Sequence, residues 1–525
     1  MSLFETRAEL PAGLTELLDA LAARVPQMQI RDDAGAVTVV ELAEASMRLA
    51  GGLRAWGVRR GDHVAIWMDN CREWLELWFA LARLGAVVVP LNTRFSLAEA
   101  EDVLRRGRVS RLVWRPGDGL LDGAALDAFE RGGLPLAGRA VVGGTPTAAH
   151  ELRFDALRAE TLLTDCEEDG DAVGLIQFTS GSTSFPKGAM LRNRGLVENG
   201  WGLGRAWQLG PADRVLVSNP LFHCGGSVFS FMAGAAHGAC VVLMSRWRLE
   251  DGMRRIEEHG ITIAPLIDAA VRDLVAAAEG GAPPLPSLRL VSTAADRALF
   301  ERAHAALGAE VSNVYGLTEC SPNVCVGDLR SSLEERLAHI GRPQEGIEVS
   351  IRSLATGEEV EDGEVGEIHV RGGASVMIGY LDDPAATAAV FGDDGFLRTG
   401  DLGCLRPGGF LDYRGRAKLM IKSGGENIAI EEVEEALRSH PGLADAVVVP
   451  VPHERWAEVG FAFLRPIPGT VVEPADVLSG CRARLANFKV PKHAVIVDDL
   501  PRTGSGKVDR ALLTERAVSA STAGA

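Results

Sequence analysis

Short apolar runs alternate with helical patterns in the first part of the chain, and this alternation constrains the fold most. Residues 64–67 form one apolar run, and residues 86–90 form another. Between them, apolar side chains recur at i, i+3, i+4 and i+7 from residue 74, which places them on one helix face. Strand, helix and strand at this spacing predict a βαβ unit, because parallel strands need a long crossover connection.

Similar runs recur further along the chain, with helical stretches between them. The predicted strands are residues 214–219, 240–244, 261–265 and 289–292. Near residue 345 the pattern changes to short strands with glycine-rich turns, as at 347–351 and 366–370, which predicts a β-rich subdomain. Near the C-terminal end, the predicted elements are a helix over 431–438, a strand over 446–449 and a helix over 477–485.

These patterns predict an α/β protein of two domains. The large N-terminal domain covers residues 1–415 and combines βαβ subdomains with the β-rich subdomain. A small α+β domain of independent size covers residues 416–525. The junction between them is charged and flanked by glycine, which suits a hinge, so we expect the small domain to be mobile.

One stretch, residues 221–244, carries no Asp, Glu, Lys or Arg and is long enough to span a membrane. Glycine, serine and histidine interrupt it, so we predict a buried helix followed by a core strand. The 71 acidic and 54 basic residues give a net charge of −17, which argues against general binding to nucleic acid or to an anionic membrane. The cysteines form no Cys-x-x-Cys pair, and the acidic N-terminus lacks the apolar core of a signal peptide. We therefore expect a cytoplasmic protein.

The segment that follows the apolar run 173–176 is the most informative. Residues 178–188 read Phe-Thr-Ser-Gly-Ser-Thr-Ser-Phe-Pro-Lys-Gly. Hydroxyl groups, closely approaching backbone N–H groups and a lysine are what a phosphate cradle needs. Composition alone also fits a Ser/Gly-rich surface loop, and the Gly-Lys-Ser/Thr ending of a Walker loop is absent.

Four further segments carry groups suited to a nucleotide. Tyr315 can stack on a base and Glu319 can bind a magnesium ion that bridges phosphates, with a buried tyrosine and a capping threonine as the alternative. Asp401, in an Arg-Thr-Gly-Asp turn, can accept hydrogen bonds from both ribose hydroxyls. Residues 413–428 form the charged junction, and residues 500–510 place Lys507 on a glycine-rich loop from which it can reach an anion.

In this order and at these distances, the five segments resemble the adenylate-forming superfamily of acyl-CoA synthetases, luciferases and peptide-synthetase adenylation domains. The likeness extends from about residue 30 to residue 511, and residues 61–65, 220–223 and 453–458 also look like family landmarks. The run Ser-Gly-Gly-Glu-Asn at 423–427 is most similar to the acyl-CoA synthetase branch.

The resemblance implies an ATP-dependent, AMP-forming acyl-CoA ligase. A carboxylate attacks the α-phosphate of Mg-ATP and gives an acyl-adenylate and pyrophosphate. The small C-terminal domain then rotates, and the thiol of coenzyme A displaces AMP to form a thioester. Positioning and electrostatic stabilisation of phosphate charge supply most of the catalysis in such a scheme.

Residue roles follow from the same resemblance. The β- and γ-phosphates are held by the phosphate segment, through Thr179, Ser180, Gly181, Ser182, Thr183 and Lys187. The adenosine side is formed by Ala294, Ala295, Tyr315 and Gly316, with Tyr315 stacked on adenine, and by Asp401 and Arg416 at the ribose.

The catalytic and domain-moving residues are implied in the same way. Thr318 contacts the α-phosphate, Glu319 binds Mg²⁺, and Lys507 stabilises the adenylation transition state. The remaining assignments are His223 as a gate beside the acyl carboxylate, Lys418 as the hinge residue, and Gly424 with Gly425 along the pantetheine tunnel.

Two positions depart from the family pattern. Ser184 replaces a glycine of the phosphate loop, and Thr293 replaces a glycine of the adenine-side segment, where Asp296 also adds a negative charge. A serine at a position that needs positive φ costs on the order of 1 kcal/mol or more. Both changes burden the ATP step more than the thiol step, so an enzyme that only converts a preformed acyl-adenylate into a thioester is the main alternative.

The acid is only coarsely specified by the sequence. Small and apolar residues near 223–227, 294–295 and 313–324 favour a bulky, mostly apolar monocarboxylic acid, such as a fatty acid, an aryl or cyclic acid, or an intermediate of specialised metabolism. Transfer to a carrier protein, a luciferase-like oxidation and non-catalytic nucleotide binding are further alternatives. The resemblance allows a homodimer, and the sequence leaves the oligomeric state open.

Overall fold

A computed structural model describes residues 3–179, 186–417, 420–423, 426–453, 456–482, 485, 489–503 and 507–523. The chain forms two compact units. The first unit comprises Met1–Val349 and Val370–Leu397, and the second comprises Ser350–His369 and Arg398–Ala525. The two units are defined by packing. The domain boundary expected between residues 415 and 416 is defined by motion of the small domain, and it stays a prediction.

The strands in the first part of the chain are β1 Gln29–Asp32, β2 Gly35–Thr38, β3 His63–Trp67, β4 Val87–Pro90, β5 Arg111–Trp114, β6 Gly138–Val141, β7 Glu151–Arg153, β8 Val173–Thr179, β9 Lys187–Arg192, β10 Arg214–Val217, β11 Cys240–Leu243, β12 Ile263–Pro265, β13 Leu290–Thr293, β14 Glu310–Gly316, β15 Asn323–Val326 and β16 Arg342–Pro343. The later strands are β17 Glu348–Arg352, β18 Gly366–Arg371, β19 Gly379–Tyr380, β20 Leu397–Arg406, β21 Phe410–Arg416, β22 Met420–Ser423, β23 Glu426–Ala429, β24 Leu443–His453, β25 Ala457–Pro466 and β26 His493–Ile496.

The helices are α1 Leu14–Arg24, α2 Val39–Ala55, α3 Arg72–Arg83, α4 Leu97–Arg106, α5 Gly123–Arg131, α6 Asn193–Ala206, α7 Cys224–Gly226, α8 Ala233–Ala235, α9 Leu249–His259, α10 Asp268–Glu279, α11 Arg297–Leu307, α12 Leu333–Ala338, α13 Pro384–Val390, α14 Ile430–Arg438, α15 Pro474–Arg482 and α16 Arg510–Ala523. A π-helical segment, Ser227–Met232, connects α7 to α8.

The first unit is built on two large sheets. Their strand orders are β16-β15-β14-β13-β12-β10-β11-β1-β2 and β19-β9-β8-β4-β3-β5-β6-β7. The predicted βαβ unit is confirmed as β3, α3 and β4, and β3 pairs with β4 in parallel. The strands expected near 214, 240, 261 and 289 are confirmed as β10, β11, β12 and β13, which pair in parallel.

The uncharged stretch 221–244 is confirmed as a buried helical segment followed by β11. From Cys224 to Ala235 the chain is helical, and its large side chains, including Val228, Phe231 and Met232, are fully or almost fully buried. Among the residues that the structure describes, no helix combines the length and the apolar character needed to span a bilayer.

Most residues of the sheet β17-β18-β20-β21 belong to the second unit. The second unit also contains a sheet in which β23, β22, β25 and β24 are neighbours in that order, with β26 beside β25. Along β24, Ala446 and Val448 pack into one buried cluster, whereas Val447 and Val449 pack into another on the opposite face. Both faces of this strand are therefore covered, which explains its continuous apolar sequence. The α+β character predicted for this part of the chain is confirmed.

Candidate active site

The predicted site residues of the first unit lie where parallel strands end. Residues 219–223 follow β10, Ala294 and Ala295 follow β13, and residues 315–319 extend from the end of β14. In open α/β sheets the carboxyl ends of parallel strands form the usual ligand crevice. The fold therefore collects three separate sequence segments at one edge of a sheet.

The phosphate segment lies between two antiparallel strands, β8 and β9. Thr179, the last residue of β8, is paired in register with Lys187, the first residue of β9. The Thr179 hydroxyl lies 3.4 Å from the Lys187 carbonyl oxygen, to which it donates a hydrogen bond. Ser180, Gly181, Ser182, Thr183 and the unusual Ser184 lie outside the described residues. The two ends of the proposed cradle are thus held side by side.

Glu319 and Lys187 are both held by Tyr380. The Tyr380 hydroxyl donates a hydrogen bond to Glu319 Oε1 over 2.8 Å. The Lys187 ammonium lies 5.2 Å from the centre of the Tyr380 ring, within range of a cation–π interaction. Tyr380 is not among the site residues predicted from the sequence, although its position beside a glycine after the apolar residues 376–378 is a weak signal of a strand.

The turn that carries Thr318 and Glu319 is fixed from two sides. Met377 N–H donates to the Glu319 carbonyl oxygen over 2.8 Å. Asn199, on α6, donates to the carbonyl oxygens of Cys320 and Asn323, and its own side-chain oxygen accepts from Asn323. Asn199 is 1% exposed, so these hydrogen bonds are shielded from water and hold the turn firmly.

Tyr315 and Gly316 end β14. Tyr315 is 7% exposed, which agrees with the alternative that this tyrosine is buried. Its stacking on adenine stays a prediction. Gly316 has a steric reason to be glycine, because a Cβ there would lie 1.9 Å from the carbonyl oxygen of Pro322.

His223 precedes the buried helical segment. Its Nε2 lies 3.5 Å from Asn92 Nδ2, at the end of β4. Beside it, a Cβ placed on Gly225 would meet no atom within 4 Å, so there is open space next to His223. Burial raises the pKa of the adjacent Cys224 thiol to about 12, so this thiol is protonated at neutral pH.

The adenine-side segment contains both Thr293 and Asp296. Thr293 belongs to β13 and is 2% exposed. Ala295 exchanges two hydrogen bonds with the Asn313 side chain, of 3.4 and 3.0 Å. Asp296 caps α11 by accepting from Leu299 N–H and lies 3.5 Å from Arg272. The charge of Asp296 is therefore balanced by a helix terminus and a guanidinium, which weakens the argument that it disfavours a nucleotide.

In the second unit, Asp401 and Arg416 face each other across β20 and β21. Arg416 Nε lies 2.9 Å from Asp401 Oδ1. Residues 398–401, which the sequence predicts as a turn, lie within β20. Glu367 accepts from Gly400 N–H over 3.0 Å, and the Thr399 hydroxyl accepts from Asp401 N–H over 3.0 Å. The structure thus brings together the two residues assigned to the ribose.

Lys507 lies in a small hairpin, directly before Val508, one of the two residues that close it. Arg502 and Val508 form an antiparallel bridge, and Thr503 N–H donates to the Lys507 carbonyl oxygen over 2.7 Å. The Lys507 side chain is exposed. Lys418, Gly424 and Gly425 lie outside the described residues, so their assignments to the hinge and to the pantetheine tunnel stay predictions.

The donor set around Glu319 fits a magnesium ion. Mg²⁺ is usually bound by one or two carboxylates and completes its shell with substrate phosphates and water. Glu319 Oε1 accepts the Tyr380 hydroxyl, which leaves Oε2 as an oxygen of the kind that Mg²⁺ prefers. Glu319 would hold such an ion through this oxygen.

Comparisons with known proteins identify the family of this chain. The family model for AMP-binding enzymes matches residues 18–381, and the model for the AMP-binding enzyme C-terminal domain matches residues 432–507. A 3-[(3aS,4S,7aS)-7a-methyl-1,5-dioxo-octahydro-1H-inden-4-yl]propanoyl:CoA ligase from Rhodococcus jostii (strain RHA1) is 35% identical over 500 residues, which cover 91% of this chain and 93% of that protein.

Two further proteins extend the comparison. A feruloyl-CoA synthase from Amycolatopsis sp. is 35% identical over 481 residues, 91% of this chain and 94% of its own. The structure of o-succinylbenzoate CoA synthetase from Bacillus subtilis, in complex with its acyl-adenylate intermediate, superposes with a TM-score of 0.80 at 30% identity and covers 95% of this chain and 97% of its own. The chain belongs to the AMP-binding enzyme family, and within it to the adenylate-forming acyl-CoA ligases.

Proposed function

We propose that this protein is a complete two-step ligase that joins a bulky, largely apolar monocarboxylic acid to coenzyme A. The observation that carries the proposal is the group formed by Glu319, Tyr380 and Lys187. A carboxylate for a metal ion and an ammonium for phosphates are useful to the ATP step. An enzyme that only converted a preformed acyl-adenylate would have no need for both.

In the adenylation step, residues of the first unit orient ATP and the acid. Thr179, Lys187 and the phosphate segment would bind the β- and γ-phosphates, and Tyr315 would stack on adenine. Thr318 would contact the α-phosphate, and Mg²⁺ held by Glu319 would neutralise phosphate charge. His223 would orient the acid carboxylate toward the α-phosphorus, so that attack needs little reorganisation.

Residues of the second unit complete the proposed reaction. Asp401 and Arg416 would hold the ribose, and the Lys507 ammonium would stabilise the negative charge that develops at the α-phosphate. Lys418 would act as the hinge before the second step. The thiol of coenzyme A, passing Gly424 and Gly425, would then attack the acyl carbonyl and displace AMP.

The proposed acid is supported by the space around the predicted gate. A Cβ added at Gly225, beside His223, would meet no atom within 4 Å, so a bulky acid can extend there. The two relatives described above act, by their names, on acyl groups that carry an indene-derived ring system and a feruloyl group. An acid with a ring system is therefore the preferred class to test first.

Two assays on one wild-type preparation test the proposal. One measures pyrophosphate release from Mg-ATP with a panel of apolar acids, and the other measures thioester formation from synthetic acyl-adenylates and coenzyme A. We expect activity in both. Thioester formation without pyrophosphate release would instead support the thioester-only alternative suggested by Ser184 and Thr293.

The acceptor, the oligomeric state and the compartment are parts of the same proposal. Thioester formation with free coenzyme A distinguishes a ligase from an enzyme that loads a carrier protein.

A homodimer is checked by light scattering during size-exclusion chromatography. A cytoplasmic location is supported by the acidic net charge and by cysteines that show no zinc or redox spacing.

A further inference from the structure

We propose that Tyr380 is a positioning residue for the adenylation step, because it holds the metal-binding carboxylate and the phosphate-binding lysine in one arrangement. This inference rests on the proposed function of Glu319 and Lys187. Tyr380 itself would touch neither the metal ion nor the nucleotide. It would act through the two side chains that do.

The contacts of Tyr380 are made by two different parts of one side chain. Its hydroxyl donates to Glu319 Oε1 over 2.8 Å, and its ring faces the Lys187 ammonium at 5.2 Å. Tyr380 is 8% exposed, so water competes weakly for either contact. Glu319 and Tyr380 are 61 residues apart in sequence, which means that the fold, and not local geometry, creates the pair.

The backbone of Tyr380 is locked onto the strand that begins with Lys187. Strands β19 and β9 are antiparallel, with Tyr380 paired to Ala189. On either side, Ile378 N–H donates to the Met190 carbonyl oxygen and Leu381 N–H donates to the Gly188 carbonyl oxygen, over 2.9 and 2.8 Å. The ring therefore keeps a fixed distance from the start of β9, where the phosphate segment ends.

The same short segment also fixes Glu319. Met377 N–H donates to the Glu319 carbonyl oxygen, and three residues later the Tyr380 hydroxyl reaches the Glu319 carboxylate. The Tyr380 amide in turn donates to the Thr387 hydroxyl over 2.9 Å, within α13. Backbone and side chain of Glu319 are thus both tied to residues 377–380.

This arrangement has a chemical consequence for charge. A carboxylate and an ammonium that formed a direct ion pair would neutralise each other and would bind ligands of opposite charge less well. Here the hydroxyl takes the carboxylate and the ring face takes the ammonium. Glu319 can therefore keep one oxygen for a hard cation while Lys187 keeps its N–H donors for phosphate oxygens.

Tyr380→Phe tests the hydroxyl, because it removes one oxygen atom and keeps the ring. ATP binding is measured by calorimetry without acid, so that no turnover occurs, at increasing Mg²⁺ concentrations. We expect the Mg²⁺ concentration for half-maximal enhancement of ATP binding to rise about tenfold, as for the loss of a hydrogen bond to a charged group. Pyrophosphate release should fall in parallel, and thioester formation from a synthetic acyl-adenylate should stay within about twofold of wild type.

Tyr380→Leu and Thr262→Val complete the experiment. Tyr380→Leu also removes the ring, so ATP binding without Mg²⁺ should weaken as well, through Lys187. Thr262→Val also removes a hydroxyl that donates to a carboxylate, since Thr262 donates to Asp213 over 2.8 Å. Thr262 directly precedes β12, so it lies at the end of that strand opposite to the candidate site. We expect this control to leave the Mg²⁺ dependence of ATP binding unchanged, whatever it does to the melting temperature.

The inference and the proposed function are judged by different results. Pyrophosphate release and thioester formation by the wild-type protein decide the proposed function. The ratio of variant to wild type in Mg²⁺-dependent ATP binding decides the role of Tyr380. An unchanged Mg²⁺ dependence in Tyr380→Phe would overturn the inference, as would equal losses in both half-reactions or a wild type whose ATP binding ignores Mg²⁺.

Discussion

Gly225 lies beside His223 in space that a larger side chain could fill. A Cβ there meets no atom within 4 Å, whereas a Cβ on the neighbouring Gly226 would lie 2.2 Å from the Pro220 carbonyl oxygen. The two adjacent glycines therefore have different reasons to be glycine. At Gly226 the backbone approach requires it, and at Gly225 only the proposed acid does.

Gly225→Val should narrow the acid pocket without disturbing the fold. We expect KM for ring-bearing acids to rise about tenfold or more, because one or two methyl groups in a pocket discriminate by such factors. KM for a short acid such as acetate or propionate should not rise. Gly226→Ala is the contrast and should lower the melting temperature. A uniform loss of activity across all acids in Gly225→Val would show that this space is not part of the acid pocket.

His237 gives the stability of the protein a specific pH dependence. Its Nε2 lies 2.9 Å from the Trp201 carbonyl oxygen, to which it donates, and burial lowers the pKa of this imidazole below the ordinary 6.5. Below about pH 6.5 the unfolded chain binds a proton at this residue and the folded chain does not. Stability is therefore lost as the pH falls from 6.5 toward the lower folded-state pKa.

His237→Gln removes this titration and retains an N–H donor. The free energy of unfolding, measured by denaturation between about pH 7.5 and 5.5, should be lower at the upper end of this range and should decline less steeply on acidification. The slopes of unfolding free energy against pH for the two proteins should differ by an amount that approaches the uptake of one proton on unfolding. His150→Gln, at a side chain that is 48% exposed, is the control. Identical slopes for wild type and His237→Gln would contradict the prediction.

Individual site residues could be predicted where they belong to a compact motif. The family resemblance assigns Asp401 and Arg416 together to the ribose, and in the structure Arg416 Nε lies 2.9 Å from Asp401 Oδ1. Tyr380 could not be found in this way, because its partner Glu319 is distant in sequence and the contact depends on how β19 aligns with β9. Local sequence carries no information on such a pairing.

At the scale of elements, the start of α16 anchors the hairpin that carries Lys507. Arg510 donates to both carboxylate oxygens of Glu434, on α14, over 2.7 and 2.9 Å, and to the Val448 carbonyl oxygen over 2.8 Å. Glu434 is 3% exposed and also accepts from Val448 N–H. Three elements, α14, β24 and α16, therefore meet at one ion pair, in which the side chain of Glu434 is 4% exposed and that of Arg510 is 27% exposed.

Glu434→Gln leaves the Arg510 guanidinium without its partner charge. Breaking a fully buried pair in this way costs about 3 kcal/mol or more, and Arg510 is partly exposed, so we expect the second unit to lose about 2 kcal/mol of stability, detected by calorimetry. Lys489→Met removes a more exposed ion pair with Glu432 and should cost less than about 1 kcal/mol. Equal, small effects of the two substitutions would mean that the Glu434 pair is not a structural anchor.

Helices and strands are easiest to predict where apolar residues either recur on one face or form an uninterrupted run. Periodicity predicts the helix around Trp74 and an apolar run predicts the strand before it, and α3 and β3 confirm both. Strand β24 was expected over 446–449 but extends from Leu443 to His453, because its ends are held by pairing with β25. The π-helical segment Ser227–Met232 has no periodic signal that distinguishes it from an α-helix.

At the scale of the whole molecule, the α/β class was predictable but the sheet order was not. Strand β1 lies beside β11, so Ile30 and Val241 are paired although a large part of the first unit's sequence separates them. No local pattern specifies such a crossover. Packing groups most of β20 and all of β21 with the C-terminal residues. The boundary at residue 415, predicted from the change of element pattern and the charged, glycine-flanked junction, stays a prediction.

The two half-reactions should depend on different residues of the second unit. Lys507 is assigned to adenylation, because its ammonium would meet negative charge that grows at the α-phosphate. In the proposed scheme the small domain rotates before the thiol displaces AMP, so Lys507 would no longer face the α-phosphate in the second step. The backbone next to Lys507 is held by the antiparallel bridge between Arg502 and Val508.

Lys507→Ala should therefore separate the steps. We expect pyrophosphate release to fall by about 100-fold or more, the usual effect of removing one group that stabilises developing charge. Thioester formation from a synthetic acyl-adenylate should stay within about twofold of wild type. Lys492→Ala, at another exposed lysine of the same unit, is the matched control and should alter neither step. Equal losses in both assays would show that Lys507 supports the fold of the second unit or serves both reactions, and that the division of labour proposed for this chain is wrong.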